Sequence, residues 1–397
     1  MGEGGIYMTK IINREILSRK KYKDDTGKIV GVEIRHRRLT LCKTLASLAD
    51  KICSVSYVSK IENNLAAVNN YYLHELCNRV ELDEQQINAL MNLKTIIIRS
   101  ITAYVNNDVD TITIMYQEGK GLSNYRYRIV EFIYYLFRKD LYNANESYVA
   151  ITKLITSMGD FDLYVFSLFS SVLYFYNQLY LDSFETAKIL VGIDVSDDFK
   201  LLCHRCLFLS LYKMNRHDTT SAYYMYKEEL IKNAKYDLLD EINYYYALYL
   251  LKNSSNFEYD IVIRQIRDSK YLNSIRLYYD FLRDSFDISE YEDVELTKFF
   301  KLLLLVYKNP NEAKEVVSTI NEFDYEYDLN VYLINYLLLD NNKEKLDYIT
   351  DIILPQAQRS YDEFNIDYFL YELSTLAIKD FKYKIFTLCF ARLKNKY

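Results

Sequence analysis

The chain has 397 residues, half of them hydrophobic, with only 9 glycines and 2 prolines. So few chain breakers exclude a strand-rich fold with many turns and favour helix as the dominant state, and this length allows two or more domains with their own cores. Residues 1–80 carry 14 Lys and Arg against 8 Asp and Glu, a net charge of +6 in a chain of −6, so the remainder carries −12; nucleic acid is therefore an expected partner of the amino-terminal end only.

Residues 1–27 form a basic, polar lead-in, in which a short helix from Lys10 to Lys21 is expected without an assignable packing partner. The next helix carries the basic run Arg35, Arg37 and Arg38. A basic helix end beside a DNA-reading element typically contacts phosphate. The alternative is a solvated basic face with no partner.

Residues 44–64 read as two short helices that meet at a tight turn. Thr44 and Ser54 can each cap a helix, because their hydroxyls accept an N–H left unpaired at the helix start. In the first helix, apolar residues recur at spacings of three and four and form one buried face: Leu45, Leu48, Ala49 and Ile52. In the second, Val58 and Ile61 should point inward. This pattern predicts a helix-turn-helix whose second helix enters the DNA major groove.

The same residues resemble the lambda-repressor-like (XRE) DNA-binding domain over residues 28–82, through Ser-Leu-Ala-Asp at 47–50, Ser-x-Ser-x-x-Ser-Lys at 54–60 and Ile-Glu-Asn at 61–63. The resemblance implies base readers at Val55, Ser56 and Lys60. It implies phosphate contacts at Ser54, Tyr57, Ser59 and Asn63, and it puts Cys53 where the family has its turn glycine. We expect Glu62 to be a structural partner of a basic residue, because a carboxylate facing phosphate is unfavourable.

Residues 83–107 are expected to form one long apolar linker helix. It would join the DNA-binding domain (the head) to the rest of the chain (the body), and it could pair with the same helix of a second copy. From residue 108 to 397 the pattern is helix pairs, with first helices expected near Ser123, Asp160, Asp198, Asp237 and Tyr271. A two-helix unit repeated at this period indicates an α-solenoid, because one pair cannot bury its apolar face alone. The predicted fold class is all-α: a helix-turn-helix domain followed by a solenoid of helical hairpins.

The uncharged stretch from Leu163 to Leu181 could be mistaken for a membrane span. Its polar residues, and the aspartates that flank it, favour a buried helix of the repeat instead. The six cysteines lack the spacing of a disulfide framework, so we expect a reduced, cytoplasmic protein without a membrane partner.

A head of XRE type on a long helical body resembles the peptide-sensing RRNPP regulators of Gram-positive bacteria, including their Rgg-like and PlcR-like members. That resemblance implies a tetratricopeptide-like repeat domain that binds a short signalling peptide. Asn amides can pair with both the N–H and C=O groups of an extended peptide, although an aromatic stripe on a helix is also typical of core packing. The candidate peptide-binding residues on the inner helices are Asn177, Asn243, Tyr246, Arg276, Tyr279 and Asn335.

No arrangement of residues indicates catalysis, a cofactor or a metal site. The pair Cys203 and Cys206 is isolated, whereas zinc needs four ligands, so two packed thiols are expected. The leading hypothesis is a homodimeric, quorum-sensing transcription regulator that binds double-stranded DNA and is controlled by a short peptide. The alternatives are a helical-repeat adaptor for another protein, with a vestigial DNA-binding domain, and an enzyme of unusual helical type.

Overall fold

The computed structural model describes residues 3–19, 29–63, 65–66, 69–119, 125–253, 256–283, 285, 287–319, 331–379 and 385. Regular secondary structure in these residues is helical throughout, and they contain no strand. The predicted all-α fold is therefore confirmed. Two compact units are distinguished: residues 1–174 with 182–206, and residues 175–181 with 207–397.

The first unit begins with five helices that precede the predicted linker. They are α1 (Glu3–Ser18), α2 (Ile29–Thr40), α3 (Leu45–Ala49), α4 (Val55–Glu62) and α5 (Asn70–Arg79). Helix α1 is longer than the short helix expected from Lys10 to Lys21, and residues 20–27 of the lead-in lie outside the described residues. Helices α2–α5 form the head.

The predicted linker is the 22-residue helix α6 (Glu84–Val105). Leu93, Ile97 and Ile101 on this helix are fully buried, which matches the expected apolar series. Helix α7 (Val109–Gly119) follows and packs on α6.

Successive helix pairs then build the body of the chain. They are α8 (Tyr125–Phe137) with α9 (Leu141–Thr152), α10 (Asp160–Tyr176) with α11 (Tyr180–Leu190), α12 (Asp197–Lys213) with α13 (Thr219–Lys232), α14 (Leu239–Lys252) with α15 (Asn256–Ile263), and α16 (Ser269–Leu282) after them. The first helices begin within two residues of the predicted starts. The pairing is confirmed, whereas the tetratricopeptide type stays a prediction.

The remaining described helices belong to the second unit. They are α17 (Lys298–Lys308), α18 (Pro310–Thr319), α19 (Val331–Leu337), α20 (Asn342–Tyr348), a π-helical turn (Ile349–Ile353), α21 (Leu354–Ser360) and α22 (Glu363–Lys379). Among residues 380–397 of the predicted repeat, only residue 385 belongs to the described residues.

Tyrosine supplies much of the core in both units. Tyr148 and Tyr174 are buried in the first unit with their hydroxyl oxygens 2.7 Å apart. In the second unit the rings of Tyr223 and Tyr246 stack with centroids 3.9 Å apart. A buried tyrosine needs a partner for its hydroxyl. Tyr148 and Tyr174 are partners of each other, whereas Tyr223 donates to Asn243 Oδ1 at 2.7 Å and Tyr246 donates to Thr220 Oγ1 at 3.3 Å.

Helix α10 contains most of the uncharged stretch that could be mistaken for a membrane span. Every residue from 163 to 174 on this helix is buried in the protein. Within the described part of the chain, no helix combines the length and apolar character required to cross a bilayer. The interpretation as a buried helix of the repeat is confirmed.

Candidate nucleic-acid interface

Two hydroxyl caps set the start of each helix of the predicted helix-turn-helix. The Ser47 amide donates to Thr44 Oγ1 at 3.1 Å, and the Tyr57 amide donates to Ser54 Oγ at 3.2 Å. Each bond satisfies one of the N–H groups that a helix start leaves unpaired. Both caps were predicted from the sequence and both are confirmed.

The turn between α3 and α4 departs from the prediction. Lys51, with φ of 58°, occupies the left-handed region, whereas Cys53 does not. Helix α3 ends at Ala49 with Asp50 as its C-cap, so Lys51 is the first residue outside the helix, where glycine is usual because it has no Cβ to clash. The left-handed residue of this turn is therefore Lys51, whereas the family's turn glycine corresponds to Cys53.

Helix α4 is anchored from behind by two apolar side chains and one close backbone approach. Val58 and Ile61 are fully buried. Gly31 of α2 lies so near that a Cβ built on it would be 2.2 Å from the carbonyl oxygen of Ile61. The absence of a side chain at residue 31 thus lets α2 pack directly against the end of α4.

A buried ion pair also connects α2 to α4. Arg38 donates from Nε to Glu62 Oε1 at 2.7 Å and from Nη2 to Oε2 at 2.8 Å, and the two side chains are 11% and 3% exposed. The hydrogen bonds to Glu62 raise the pKa of Arg38 above its ordinary value. The expectation that Glu62 pairs with a basic residue is confirmed.

This pair corrects the assignment of Arg38 as a phosphate contact. Its guanidinium is engaged on two sides, because Nη1 also donates to the backbone carbonyl of Lys43 at 2.9 Å. The bonds to Glu62 neutralise its buried carboxylate, and only 11% of the Arg38 side chain is exposed. Arg38 is a structural residue of the head.

The outer face of α4 carries the predicted base readers. Val55 is 45% exposed, and Ser56 and Lys60 are exposed as well. Side chains on this face do not contribute to the hydrophobic core, which lies on the side of Val58 and Ile61. The structure therefore places all three predicted readers where a groove could receive them.

The predicted phosphate contacts flank this face and are partly engaged within the head. Tyr57 is half-buried, and its hydroxyl oxygen accepts the Asn69 amide at 3.1 Å. The Asn63 amide group donates to the Ser59 carbonyl at 2.8 Å. Ser54 is exposed but its hydroxyl oxygen caps α4. These residues shape the ends of α4 as well as standing at the predicted interface.

The two other arginines of the basic run differ in their surroundings. Arg35 donates to Asn63 Oδ1 at 3.0 Å, which brings its guanidinium to the end of α4. Arg37 turns to Glu33 Oε1 at 3.3 Å and to the Glu81 carbonyl at 3.2 Å. Of these two arginines, Arg35 is therefore the one that lies beside α4.

Two of the candidate peptide-binding residues are buried in the second unit. Asn243 is 1% exposed and its Oδ1 accepts the Tyr223 hydroxyl at 2.7 Å, and Tyr246 is 0% exposed against the ring of Tyr223. A peptide in a groove cannot contact either residue in this structure. Their aromatic and amide pattern reflects packing between helices of the repeat, so their assignment to the peptide site was wrong.

The other candidates lie nearer the surface. Arg276 is exposed and pairs with Glu290 at 2.6 Å, and Arg283 lies over the Tyr279 ring at 4.1 Å. Asn335 and Asn177 are half-buried. The amide nitrogen of Asn177 is buried and has no hydrogen-bond partner among the residues that the structure describes.

Lys252, at the end of α14, lies against aromatic groups of its own chain. Its ammonium is 5.0 Å from the ring centroids of both Tyr212 and Phe364. Asp362 is close enough for the charge of Lys252 to lower its pKa, although burial has the larger effect and raises it overall. Because residues 252 and 362 are far apart in the chain, no sequence pattern indicates this contact.

The thiols of Cys203 and Cys206 are buried on α12, and burial raises the pKa of Cys206 to about 11. Across the described ranges, no group of three or more His, Cys, Asp and Glu side chains is arranged to hold a metal ion.

Comparison with known proteins found no matching family model. Over 149 residues the chain is 27% identical to the transcriptional activator NprA of Geobacillus stearothermophilus. That match covers 36% of this chain and 37% of NprA, so it spans little more than a third of the relative.

Three solved structures are also similar to this chain. PlcR of Bacillus thuringiensis, in complex with the peptide PapR7 and DNA, has 14% identity and a TM-score of 0.37, covering 65% of this chain and 96% of its own. The apo competence regulator ComR of Streptococcus vestibularis has 13% identity and a TM-score of 0.35, and the match covers 66% of this chain and 99% of ComR. The pheromone receptor Rgg2 of Streptococcus dysgalactiae has 17% identity and a TM-score of 0.29, and the match covers 64% of this chain and 98% of Rgg2.

Proposed function

We propose that this chain is a sequence-specific DNA-binding transcription regulator whose head reads the major groove with α4. The observation that carries the proposal is the two-sided construction of that helix. Its inner side is anchored by Val58, Ile61 and the Arg38–Glu62 pair, while Val55, Ser56 and Lys60 face outward. The similarity to the transcriptional activator NprA supports the same function.

The three outward residues have complementary chemistry for base edges. The ammonium of Lys60 can donate to guanine O6 and N7, and a methyl group of Val55 can pack on the thymine methyl. Ser56 can donate or accept. Arg35, at the end of α4, can reach a phosphate, which would fix the register of the helix without reading sequence.

The proposed regulator acts as a homodimer in the cytoplasm. One small head buries too little DNA surface for useful specificity. Two heads that contact successive major grooves bind half-sites about one helical turn apart, roughly 34–36 Å. The net charge of the rest of the chain, −12 outside residues 1–80, disfavours DNA contact elsewhere and directs the head to DNA.

The proposed role of α4 is tested by measuring the affinity of variants of the chain for DNA fragments selected from the host genome. Lys60→Ala and Ser56→Ala should each weaken binding to the selected sequence by about 1–3 kcal/mol, and relax its base preference. Lys153→Ala is the matched control for Lys60→Ala, because it removes the same charge from an exposed position on the C-cap of α9. If Lys60→Ala and Lys153→Ala have equal effects, α4 does not read the sequence.

We further propose that a short peptide binds the helical repeat through Asn177. A buried donor without a partner costs about 1–3 kcal/mol, and a peptide carbonyl would satisfy the amide nitrogen of Asn177. Tyr279, Arg276 and Asn335 stay secondary candidates. A peptide that binds one conformation of the repeat more tightly shifts the population toward it, which can alter the spacing of two heads in a dimer.

Fluorescently labelled short peptides, encoded by reading frames that flank the gene, provide the test of this second proposal. Asn177→Ala should weaken binding of the recognised peptide at least about tenfold, which corresponds to the loss of one buried hydrogen bond. Asn342→Ala, at an exposed position at the start of α20, should leave affinity unchanged. Equal affinity of both variants for every peptide would remove Asn177 from the site.

No catalytic activity is part of the proposal, since the relatives are regulators by name.

A further inference from the structure

Helix α1 of the lead-in has one buried face. Thr9, Ile12 and Ile16 are 1%, 0% and 3% exposed, whereas the neighbouring Leu17 is 63% exposed. Residues at spacings of three and four lie on one side of a helix. Because most of the stability of a helix in a protein comes from packing of its apolar face, this packing stabilises α1.

The carboxyl-terminal end of α1 is held by Arg19. Its Nη1 donates to the Met158 carbonyl at 2.6 Å and to Asp160 Oδ1 at 3.2 Å, and its Nη2 donates to the Ile155 carbonyl at 3.3 Å. Glu15 orients the guanidinium through an ion pair of 2.9 Å. One side chain thus contacts both the short turn at Ile155–Ser157 and the start of α10, through charge-assisted bonds.

Further contacts extend along α1 to helix α11. The Thr186 hydroxyl donates to Asn13 Oδ1 at 3.1 Å. Thr9 bonds to Asp182, at the start of α11, and to Tyr174 of α10, and each bond lowers the pKa of its partner against the larger effect of burial. Helix α1 therefore contacts both members of the α10–α11 pair.

The chain itself limits how far the head can move while α1 is docked. Residues 20–28 connect Arg19 to Ile29, the first residue of α2. Ten consecutive Cα–Cα steps span at most about 36 Å. The other end of the head continues into α6, which packs on α7 and α8. Both ends of the head are thus connected to helices of the same unit.

We propose that α1 is an intramolecular strap that ties the DNA-reading head to the α10–α11 pair. With α1 docked, the outer face of α4 remains exposed, so the strapped head can meet DNA. A ligand that rearranges α10 and α11 would act on the head through α1 as well as through α6. This role goes beyond DNA binding and can be tested without DNA.

The test is hydrogen–deuterium exchange of the α1 amides in the full chain. Ile12→Asp places an unpaired carboxylate in a fully buried position, so exchange over residues 9–18 should become at least about a hundredfold faster. Leu17→Asp introduces the same charge on the exposed face of the same helix and should change it less than about threefold. Arg19→Gln, which removes the ion pair with Asp160, should give an intermediate increase.

Methyl relaxation tests whether the docked helix restrains the head. In the parent chain and in Leu17→Asp, the Ile61 methyl groups of the head and those of Ile133 in α8 should report one common tumbling time. In Ile12→Asp, the Ile61 methyl groups should report a shorter one. If α1 exchanges equally fast in the Ile12→Asp and Leu17→Asp variants, α1 is not docked. If α1 is released but the tumbling of Ile61 is unchanged, it is not a strap.

Discussion

Breaking the Arg38–Glu62 pair should destabilise the head far more than removing it altogether. Arg38→Met leaves the Glu62 carboxylate, 3% exposed, without the two bonds of 2.7 and 2.8 Å that neutralise it. Removing one member of a buried pair costs about 3–5 kcal/mol. Glu62→Leu should cost less, because the longer arginine side chain can move its charge toward solvent.

The double variant Arg38→Met with Glu62→Leu should recover much of this loss. A buried pair replaced by apolar side chains of similar volume is often neutral or even more stable. The cycle of single and double variants should therefore give a coupling energy of about 2–4 kcal/mol, since residues in direct contact do not behave additively.

Native-state hydrogen exchange of the α4 amides measures the opening free energy of the head by itself, which suits a chain of several units that need not unfold in one step. A loss of 3–5 kcal/mol corresponds to exchange that is roughly a hundred to several thousand times faster. Exchange in Arg38→Met within a factor of five of the parent would refute the structural role of the pair. Additive effects in the double variant would do the same.

Three further predictions concern backbone fit and pH. Gly31→Ala brings a Cβ to 2.2 Å from the Ile61 carbonyl, so the opening free energy of α4, measured by hydrogen exchange, should fall by about 1–3 kcal/mol; unchanged protection would contradict the close approach. Lys51→Gly removes the Cβ from the left-handed position at φ 58° and should raise the opening free energy of the head by roughly 0.5–1 kcal/mol. Lys51→Ala keeps a Cβ and should not raise it. Equal opening free energies for the two variants would exclude backbone strain at residue 51. Burial raises the pKa of Asp362 despite the nearby charge of Lys252, so the folded state favours the protonated carboxyl. The protonated carboxyl therefore contributes stability at pH values below the ordinary pKa of about 4. This contribution is lost as pH rises through the raised pKa of the folded state. Asp362→Asn should therefore gain stability relative to the parent as pH increases over that window in chemical denaturation, and a constant difference across pH would contradict the shift.

Local sequence determined the helices and their ends. Thr44 and Ser54 cap their helices because a hydroxyl next to an N–H two or three residues ahead needs no distant partner. The same holds for the apolar spacing that puts Val58 and Ile61 inside and for the starts of the repeat helices. Such interactions join residues within one turn of a helix, so they can be predicted from the sequence.

Tertiary structure alone decided which polar side chains remained available. Arg38 belongs to a basic run, but Glu62, 24 residues away, engages it. Asn243 and Tyr246 are residue types that suit a peptide groove. Asn243, however, is bonded to the Tyr223 hydroxyl, and Tyr246 is stacked on the Tyr223 ring, so both are buried. The lead-in was assigned no partner, and Arg19 found one at Asp160. Each outcome depends on which helices pack side by side, and periodicity within a helix carries no information about its neighbours.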